Sequence, residues 1–258
     1  MNYIDIHSHL HDAAFDTDRG AVLARMRAGE VATITVGTDI ESSRAAIALA
    51  EREDGVWATV GIHPTDTDAS DIDRETFRLL ARHEKVVGIG ECGIDLFRSS
   101  GGQEELTRQR HLFEEQIICA REVDKPLMLH VRDAYAEVLD ILEVGSSESG
   151  GGLRGNVHFF AGDMGIARRF LDLGFTLSFT GVVTFTSDYD EVVRFVPGDM
   201  ILAETDAPYV APVPYRGKRN EPSFVVHTVN RLAEIRGVEA SVFADTVLEN
   251  ARKVFFPR

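Results

Sequence analysis

Cysteine is scarce in this chain, which has only Cys92 and Cys119 among 258 residues. Two cysteines are too few for a disulfide framework, and neither lies in a paired metal-binding motif. The sequence also has no apolar stretch as long as a membrane span. The apolar pattern YIDI begins at residue 3, so we expect no signal peptide. These features favour a cytoplasmic protein without a membrane partner and exclude a disulfide-rich secreted domain.

Positive charge is also in short supply. The chain has 27 lysines and arginines against 42 aspartates and glutamates, giving a formal net charge of −15. Such a surface repels polyanions at long range, so a nucleic acid would have to be held by a local cationic site. The balance argues against a general nucleic-acid-binding protein, but it does not exclude an enzyme that acts on nucleic acid.

What the chain does contain is a regular alternation of strand and helix patterns. Eight apolar runs read YIDIH, ATITVG, VWATVGIHP, VVGIGE, PLMLHV, NVHFF, FTLSFTG and MILAET, with helical spacing between them and two helical patterns after the last. Strands that are apolar on both faces are typical of a parallel sheet covered by helices. Eight such units in a chain of this size predict a single-domain (β/α)8 TIM barrel spanning residues 1–258. A doubly wound open sheet is the alternative.

Polar residues follow these runs with the same regularity. The residues at or near the predicted strand ends are His7, His9, His63, Glu91, His130, His158 and Asp206. Barrel enzymes carry their chemistry at the carboxyl ends of the strands, and closure brings the first and last strands together. An open sheet instead gathers its ligands at one switch point. The pattern therefore favours the barrel. The Gly- and Ser-rich stretch 145–155 is predicted to be a mobile connector on the opposite face.

Six of these residues predict a metal site. Side chains alternate along a strand, so His7 and His9 point the same way. The predicted ligands are His7, His9, Glu91, His130, His158 and Asp206. Four imidazoles and two carboxylates can serve two divalent ions, with Glu91 as the bridge. Nitrogen-rich ligation favours zinc, manganese or iron over magnesium, although it leaves the metal open. Such a pair activates water, so the predicted chemistry is hydrolysis.

Other residues near the same rim have weaker assignments. We leave His11 out of the ligand set because it lies beyond the predicted strand, and we expect His63 to support a ligand or contact the substrate. Glu204 is as compatible with support of a ligand histidine as with catalysis. Arg132 is a candidate phosphate contact, with a salt bridge as the alternative. Arg219 is a second candidate, within the basic segment YRGKR at 215–219.

The motifs resemble those of the TatD family of metal-dependent deoxyribonucleases, in the amidohydrolase superfamily, over the whole chain. The matching segments are IDIHSHL, GIHP, IGECGID, LHVRDA, VHFFAG, LAETDAPY and RNEP. The resemblance implies that one metal is surrounded by His7, His9, Glu91 and Asp206, and the other by Glu91, His130 and His158. The departures, such as phenylalanine at position 97, remove no ligand.

The resemblance implies hydrolysis of DNA phosphodiester bonds, with single-stranded DNA as the expected substrate. A metal-bridging hydroxide would attack phosphorus, with Asp206 as ligand and proton acceptor and Glu91 as the other catalytic carboxylate. One alternative is a hydrolase of the same fold that acts on another ester or amide, such as a lactone or an aminoacyl-tRNA. A second is a metal-binding scaffold without turnover. The sequence indicates no obligate protein partner.

Overall fold

Eight parallel strands form the centre of the structure, a computed structural model that describes residues 1–66, 72–98, 102–148 and 152–256. In chain order they are β1 (Tyr3–Ser8), β2 (Val31–Val36), β3 (Val56–Val60), β4 (Val86–Asp95), β5 (Leu127–Arg132), β6 (Gly155–Val157), β7 (Phe175–Phe179) and β8 (Ile201–Ala203). They pair in the order of the chain, from β1 through β8. A doubly wound sheet would show a reversal of strand order, so this alternative is wrong.

The sheet closes between β1 and the segment that follows β8. Ser8 and Ala207 form an isolated parallel bridge. Two backbone bonds flank it: the Asp206 N–H donates to the His7 carbonyl at 2.9 Å, and the His9 N–H donates to the Ala207 carbonyl at 2.7 Å. The predicted (β/α)8 barrel is therefore confirmed, and its closure places residues 7–9 beside residues 206–207.

Helices cover the outside of the barrel. The described residues include α1 (Arg19–Ala28), α2 (Ile40–Arg52), α3 (Arg74–Ala81), α4 (Gly102–Glu122), α5 (Tyr135–Glu148), α6 (Met164–Asp172), α7 (Asp190–Phe195), α8 (Val225–Arg236) and α9 (Ala240–Phe255). Side-chain caps fix several of their starts: Asp39 accepts from the Ser42 N–H in a capping box at α2, and Asp163 accepts from the Ile166 N–H at α6. No helix in the described part of the chain combines the length and apolar content needed to cross a bilayer.

The strands are buried on both faces, as a parallel barrel wrapped by helices requires. The predicted connector at 145–155 differs from the structure at its start, because α5 continues to Glu148 and so extends into it. The helix continues to Glu148 and ends just before the glycine run. Residues 149–151 of this predicted connector lie outside the described residues.

Irregular pairing occurs where two predicted ligands lie. Along β1, Asp5 and Ser8 pair with Thr33 and Thr35 of β2, so β1 contains one extra residue beside His7. Along β4, Ile89 and Cys92 pair with Leu127 and Leu129 of β5, which leaves an extra residue beside Glu91. Extra residues of this kind bend a strand and redirect a side chain. Here they lie on the two strands that bring His7 and Glu91 into the barrel mouth.

Candidate metal centre

Glu91 lies at the centre of a histidine cluster in the mouth of the barrel. Its carboxylate oxygens approach the nearest nitrogens of five histidines: His130 at 2.7 Å, His158 at 3.1 Å, His7 at 3.4 Å, His63 at 3.5 Å and His9 at 3.7 Å. Asp206 completes one side, since its Oδ1 lies 3.6 Å from His9 Nε2 and 3.8 Å from His7 Nε2. Side chains from five other segments of the barrel therefore surround this one buried carboxylate.

Three overlapping sets of these side chains have donor atoms close enough together to hold a metal ion. The sets are His7 with Glu91 and His158, His7 with His9 and Asp206, and His63 with Glu91 and His130. Within each set the donor atoms lie within 4.8 Å of one another. His7 is fully buried, and neither of its ring nitrogens has a hydrogen-bond partner among the described residues. A buried imidazole in this condition is costly unless another ligand engages it, so the site suits a cation.

Hydrogen bonds on the far side of three histidines orient their other ring nitrogens toward Glu91. His9 Nδ1–H donates to the Val36 carbonyl at 2.9 Å, which leaves Nε2 with a lone pair facing the cluster. His158 Nδ1–H donates to Glu204 at 3.1 Å, and His130 Nε2–H donates to Asp95 at 3.0 Å. Metal-binding histidines are fixed in this way, because the outer bond selects the tautomer and the ring orientation.

His63 differs from these three because the ring nitrogen that carries its proton faces Glu91. Its Nδ1 accepts the backbone N–H of Thr65 at 3.1 Å, so in the neutral ring the proton lies on Nε2. That nitrogen is 3.5 Å from Glu91 and has a hydrogen to donate instead of a lone pair to share. Burial also lowers the pKa of His63, which favours the neutral form. The side chain is therefore suited to donate to a carboxylate or a substrate oxygen.

Asp206 is held in an unusual backbone conformation. Its φ of 57° lies in the left-handed region, which costs a non-glycine residue about 1–3 kcal/mol. The surrounding loop compensates: the Tyr209 N–H donates to the Asp206 carbonyl at 2.8 Å, and Asn220 Nδ2 donates to the carbonyls of Thr205 at 2.9 Å and Tyr209 at 2.6 Å. Asn220 of the RNEP motif thus orders the loop that carries Asp206.

The charges in the cluster are strongly coupled. Burial acts to raise the pKa of the Glu91 carboxyl, but the surrounding histidines outweigh it and hold the pKa well below its usual range. Burial acts to lower the pKa of His158, yet the nearby carboxylates of Glu204 and Glu91 raise it well above normal. For Asp206, burial is again opposed, here chiefly by the neighbouring His9 ring, and its pKa is lowered. Both carboxylates are therefore ionised near neutral pH, as cation ligands must be.

Sequence reasoning missed the role of Asp95, a buried residue that binds His130. It placed the end of the fourth strand at Glu91, whereas β4 continues to Asp95. The spacing of four residues between Glu91 and Asp95 within IGECGID was the available signal, because alternation puts both on one strand face. Glu204, left open between two roles, contacts His158 and also accepts from the Phe159 N–H at 2.6 Å and the Ser178 hydroxyl at 2.7 Å.

The predicted substrate contacts lie in different settings. Arg132 ends β5 with its guanidinium 3.8 Å from the centre of the Phe97 ring. Arg219 instead forms a two-bond ion pair with Asp18, at 2.7 and 2.8 Å. Its guanidinium is thus held against the start of α1, and a role in substrate binding stays a prediction. His11, which we left out of the ligands, bonds Thr35 through Nδ1 at 2.8 Å.

The chain is similar to known proteins over nearly its whole length. The model of the family described as TatD related DNase matches residues 4–256. The chain is 37% identical over 255 residues to an uncharacterized metal-dependent hydrolase, YabD of Bacillus subtilis, covering 97% of this chain and 98% of the relative. It is 35% identical over 261 residues to the 3′-5′ ssDNA/RNA exonuclease TatD of Cronobacter sakazakii, covering 97% of each. The crystal structure of YJJV, a TatD homologue from Escherichia coli, superposes with a TM-score of 0.88 at 30% identity and covers 98% of each chain.

Proposed function

The chain belongs to the TatD family of metal-dependent hydrolases, and on that premise we propose that it cleaves phosphodiester bonds of single-stranded nucleic acid at the cluster around Glu91. The observation that carries the proposal is the buried Glu91 carboxylate between two groups of imidazoles, with both nitrogens of His7 unpartnered among the described residues. One carboxylate flanked on both sides by nitrogen ligands is the donor set that a pair of divalent ions uses.

The ligands divide into two sets that share Glu91. His7, His9 and Asp206 would hold one ion with it. His130 and His158 would hold the other, and each of these two rings is fixed by a carboxylate behind it. The chemistry of this set suits zinc or manganese better than magnesium, because imidazole is a softer ligand than carboxylate or water. When bound, the ions would lower the pKa of water and polarise the phosphoryl oxygens.

The protein's own side chains then position the substrate and manage the proton. Asp206 is ionised and lies at the edge of the cluster, so it can accept the proton that the attacking water loses. His63 donates its Nε2–H toward a non-bridging phosphate oxygen. Arg132, on the same rim, supplies a guanidinium for a neighbouring phosphate. His63, Arg132 and Asp206 each follow or end a strand, so all three lie at the rim where we place the substrate.

The proposed direction of cleavage, and the preference for single-stranded DNA or RNA, are based on the relatives. Two of them, from Cronobacter sakazakii and Pantoea vagans, carry the name 3′-5′ ssDNA/RNA exonuclease. We extend that activity to this chain, because its identity to both relatives is 35% over nearly the full length. We propose the cytoplasm as the place where it acts. The extension predicts removal of nucleotides from the 3′ end.

The test is hydrolysis of single-stranded oligonucleotides by protein reconstituted with zinc, manganese or magnesium. A strand labelled at its 5′ end should give a ladder that shortens one nucleotide at a time, and a chelator should abolish it. Double-stranded DNA, a lactone and an aminoacyl-tRNA serve as competing substrates. Cleavage of an ester or amide but no phosphodiester would refute the nuclease proposal. Tight metal binding without turnover on any substrate would favour a scaffold.

A further inference from the structure

The exposed aromatic side chains of this protein are concentrated at the mouth of the barrel. In the described residues, the phenylalanine, tyrosine and tryptophan side chains that are exposed by more than a third are Phe97 at 61%, Tyr209 at 56% and Phe185 at 39%. Phe97 follows β4, Phe185 follows β7 and Tyr209 follows β8. All three therefore lie at the carboxyl ends of strands, on the face that carries the metal centre. An exposed ring is unfavourable in water, so three on one face call for an explanation.

Two of these rings carry an arginine on one face. The Arg132 guanidinium lies 3.8 Å from the centre of the Phe97 ring, and the Arg216 guanidinium lies 3.4 Å from the centre of the Phe185 ring. Both phenylalanines remain exposed with the guanidinium in place, so each keeps surface that a further planar group can contact. Each pair thus offers a flat apolar surface together with a fixed positive charge on a protein of net charge −15.

Tyr209 stands beside the metal centre itself. Its ring centre is 6.2 Å from that of His9, with the two planes at 68°. Backbone bonds hold its loop in place, because the Tyr209 N–H donates to Asp206 and its carbonyl accepts from Asn220. A ring presented this rigidly loses little freedom when another planar group packs on it.

The two pairs lie on different sides of the cluster. The Arg132 pair belongs to β4 and β5, whereas the Arg216 pair joins the loops after β7 and β8. In a barrel ordered β1 to β8, β6 separates them on one side and β1 to β3 on the other. A strand that contacts both pairs therefore crosses the mouth of the barrel, where Glu91 and Tyr209 also lie.

We propose that Tyr209 and the Phe97–Arg132 and Phe185–Arg216 pairs form a surface that binds unpaired nucleobases by stacking, and that this surface selects single strands. The inference rests on the proposed function and adds the groups that recognise the substrate. Every base has a flat face for an aromatic ring, and an adjacent arginine suits the phosphate that follows. In a duplex those faces are covered by neighbouring base pairs, so a duplex cannot use the surface.

The experiment measures binding to metal-loaded protein by fluorescence anisotropy. The probes are a phosphorothioate single strand, which resists hydrolysis, the same strand with abasic sites, and its duplex. Each of Tyr209→Ala, Phe97→Ala and Phe185→Ala should weaken binding of the intact strand about tenfold and leave the abasic strand nearly unchanged. Tyr209→Phe and Phe97→Tyr keep a ring and should bind like the parent protein.

Controls use exposed aliphatic side chains that lie on helices away from the mouth. Leu79 on α3 is 73% exposed and Val242 on α9 is 56% exposed, so Leu79→Ala and Val242→Ala remove comparable surface. They should not change binding of any probe. If the ring variants match these controls, or if the parent protein binds abasic and intact strands equally, the stacking surface is refuted.

A parallel turnover assay separates the inference from the proposed function. Hydrolysis of the intact strand by the parent protein, with unchanged KM in the ring variants, would overturn only the stacking surface. Absence of nucleic-acid hydrolysis, with base-dependent binding that the ring variants lose, would overturn only the nuclease proposal. Absence of both would overturn both.

Discussion

Replacing Glu204 with glutamine tests whether the buried carboxylate behind His158 sets the strength of the metal centre. Glu204 is fully buried and receives three bonds: from His158 Nδ1 at 3.1 Å, from the Phe159 N–H at 2.6 Å and from the Ser178 hydroxyl at 2.7 Å. Alanine would leave these donors without a partner and would test folding instead. Glutamine has the same shape, so it isolates the charge.

The size of the effect follows from those bonds. The glutamine oxygen can keep the bonds from His158 and Phe159, while its NH2 faces the Ser178 hydroxyl, which can turn to accept. The number of bonds is kept and only the charge is lost, which costs about 1–1.5 kcal/mol, the difference between a charged and a neutral hydrogen bond. Metal affinity should therefore fall about tenfold, at the lower end of the effects seen when such supporting groups are changed.

The loss should depend on pH in a defined direction. Glu204 and Glu91 raise the pKa of His158 against the opposing effect of burial, so in the parent protein a proton competes with the metal for this ring. Without the charge of Glu204 the pKa of His158 falls and that competition weakens. The difference in affinity should thus be largest at alkaline pH, where protons no longer compete, and should shrink as the pH falls.

Calorimetric titration with the metal at pH 9 and pH 6.5 measures the loss of metal affinity and its dependence on pH. Glu41→Gln is the matched control, because it makes the same change in a side chain that is 89% exposed and lies on α2. Circular dichroism and the urea midpoint verify that the variant folds. Equal or tighter metal binding by Glu204→Gln at pH 9, with folding intact, would refute the argument that this carboxylate acts through His158.

Four further outcomes are expected. Removing the metal with a chelator should lower the Tm by about 5–10 °C in calorimetry, because a ligand at a hundredfold excess over its Kd stabilises by about 2.7 kcal/mol; an unchanged Tm would contradict a metal bound at the buried cluster. Asp206→Asn should reduce kcat by at least about a hundredfold, since an amide cannot accept the proton, and residual turnover near that of the parent protein would exclude this role. Arg132→Gln should raise the KM for a single strand, and the slope of log affinity against log salt concentration should fall by about one. Arg219→Gln should mainly reduce the free energy of unfolding in urea, by at most about 1 kcal/mol, because Arg219 is paired with Asp18.

Part of the candidate site could be predicted because its residues follow simple spacing rules. His7 and His9 are two apart at the end of an apolar run, and the other ligand candidates each follow or lie within such a run. Parallel strands in a closed barrel end at one rim, so the side chains had to meet there. The fourth apolar run ends at Glu91, whereas β4 continues to Asp95, so apolar spacing does not indicate that Asp95 belongs to the site.

By itself, then, the sequence determined the barrel and the set of side chains at its mouth, because apolar periodicity and strand-end position are local properties of the chain. Only the tertiary structure decided what each side chain does. The Thr65 N–H fixes the tautomer of His63, and Asp18 engages Arg219. The extra residues in β1 and β4 direct His7 and Glu91 inward. Each of these outcomes depends on a hydrogen bond, an ion pair or a strand register, and only folding brings those partners together.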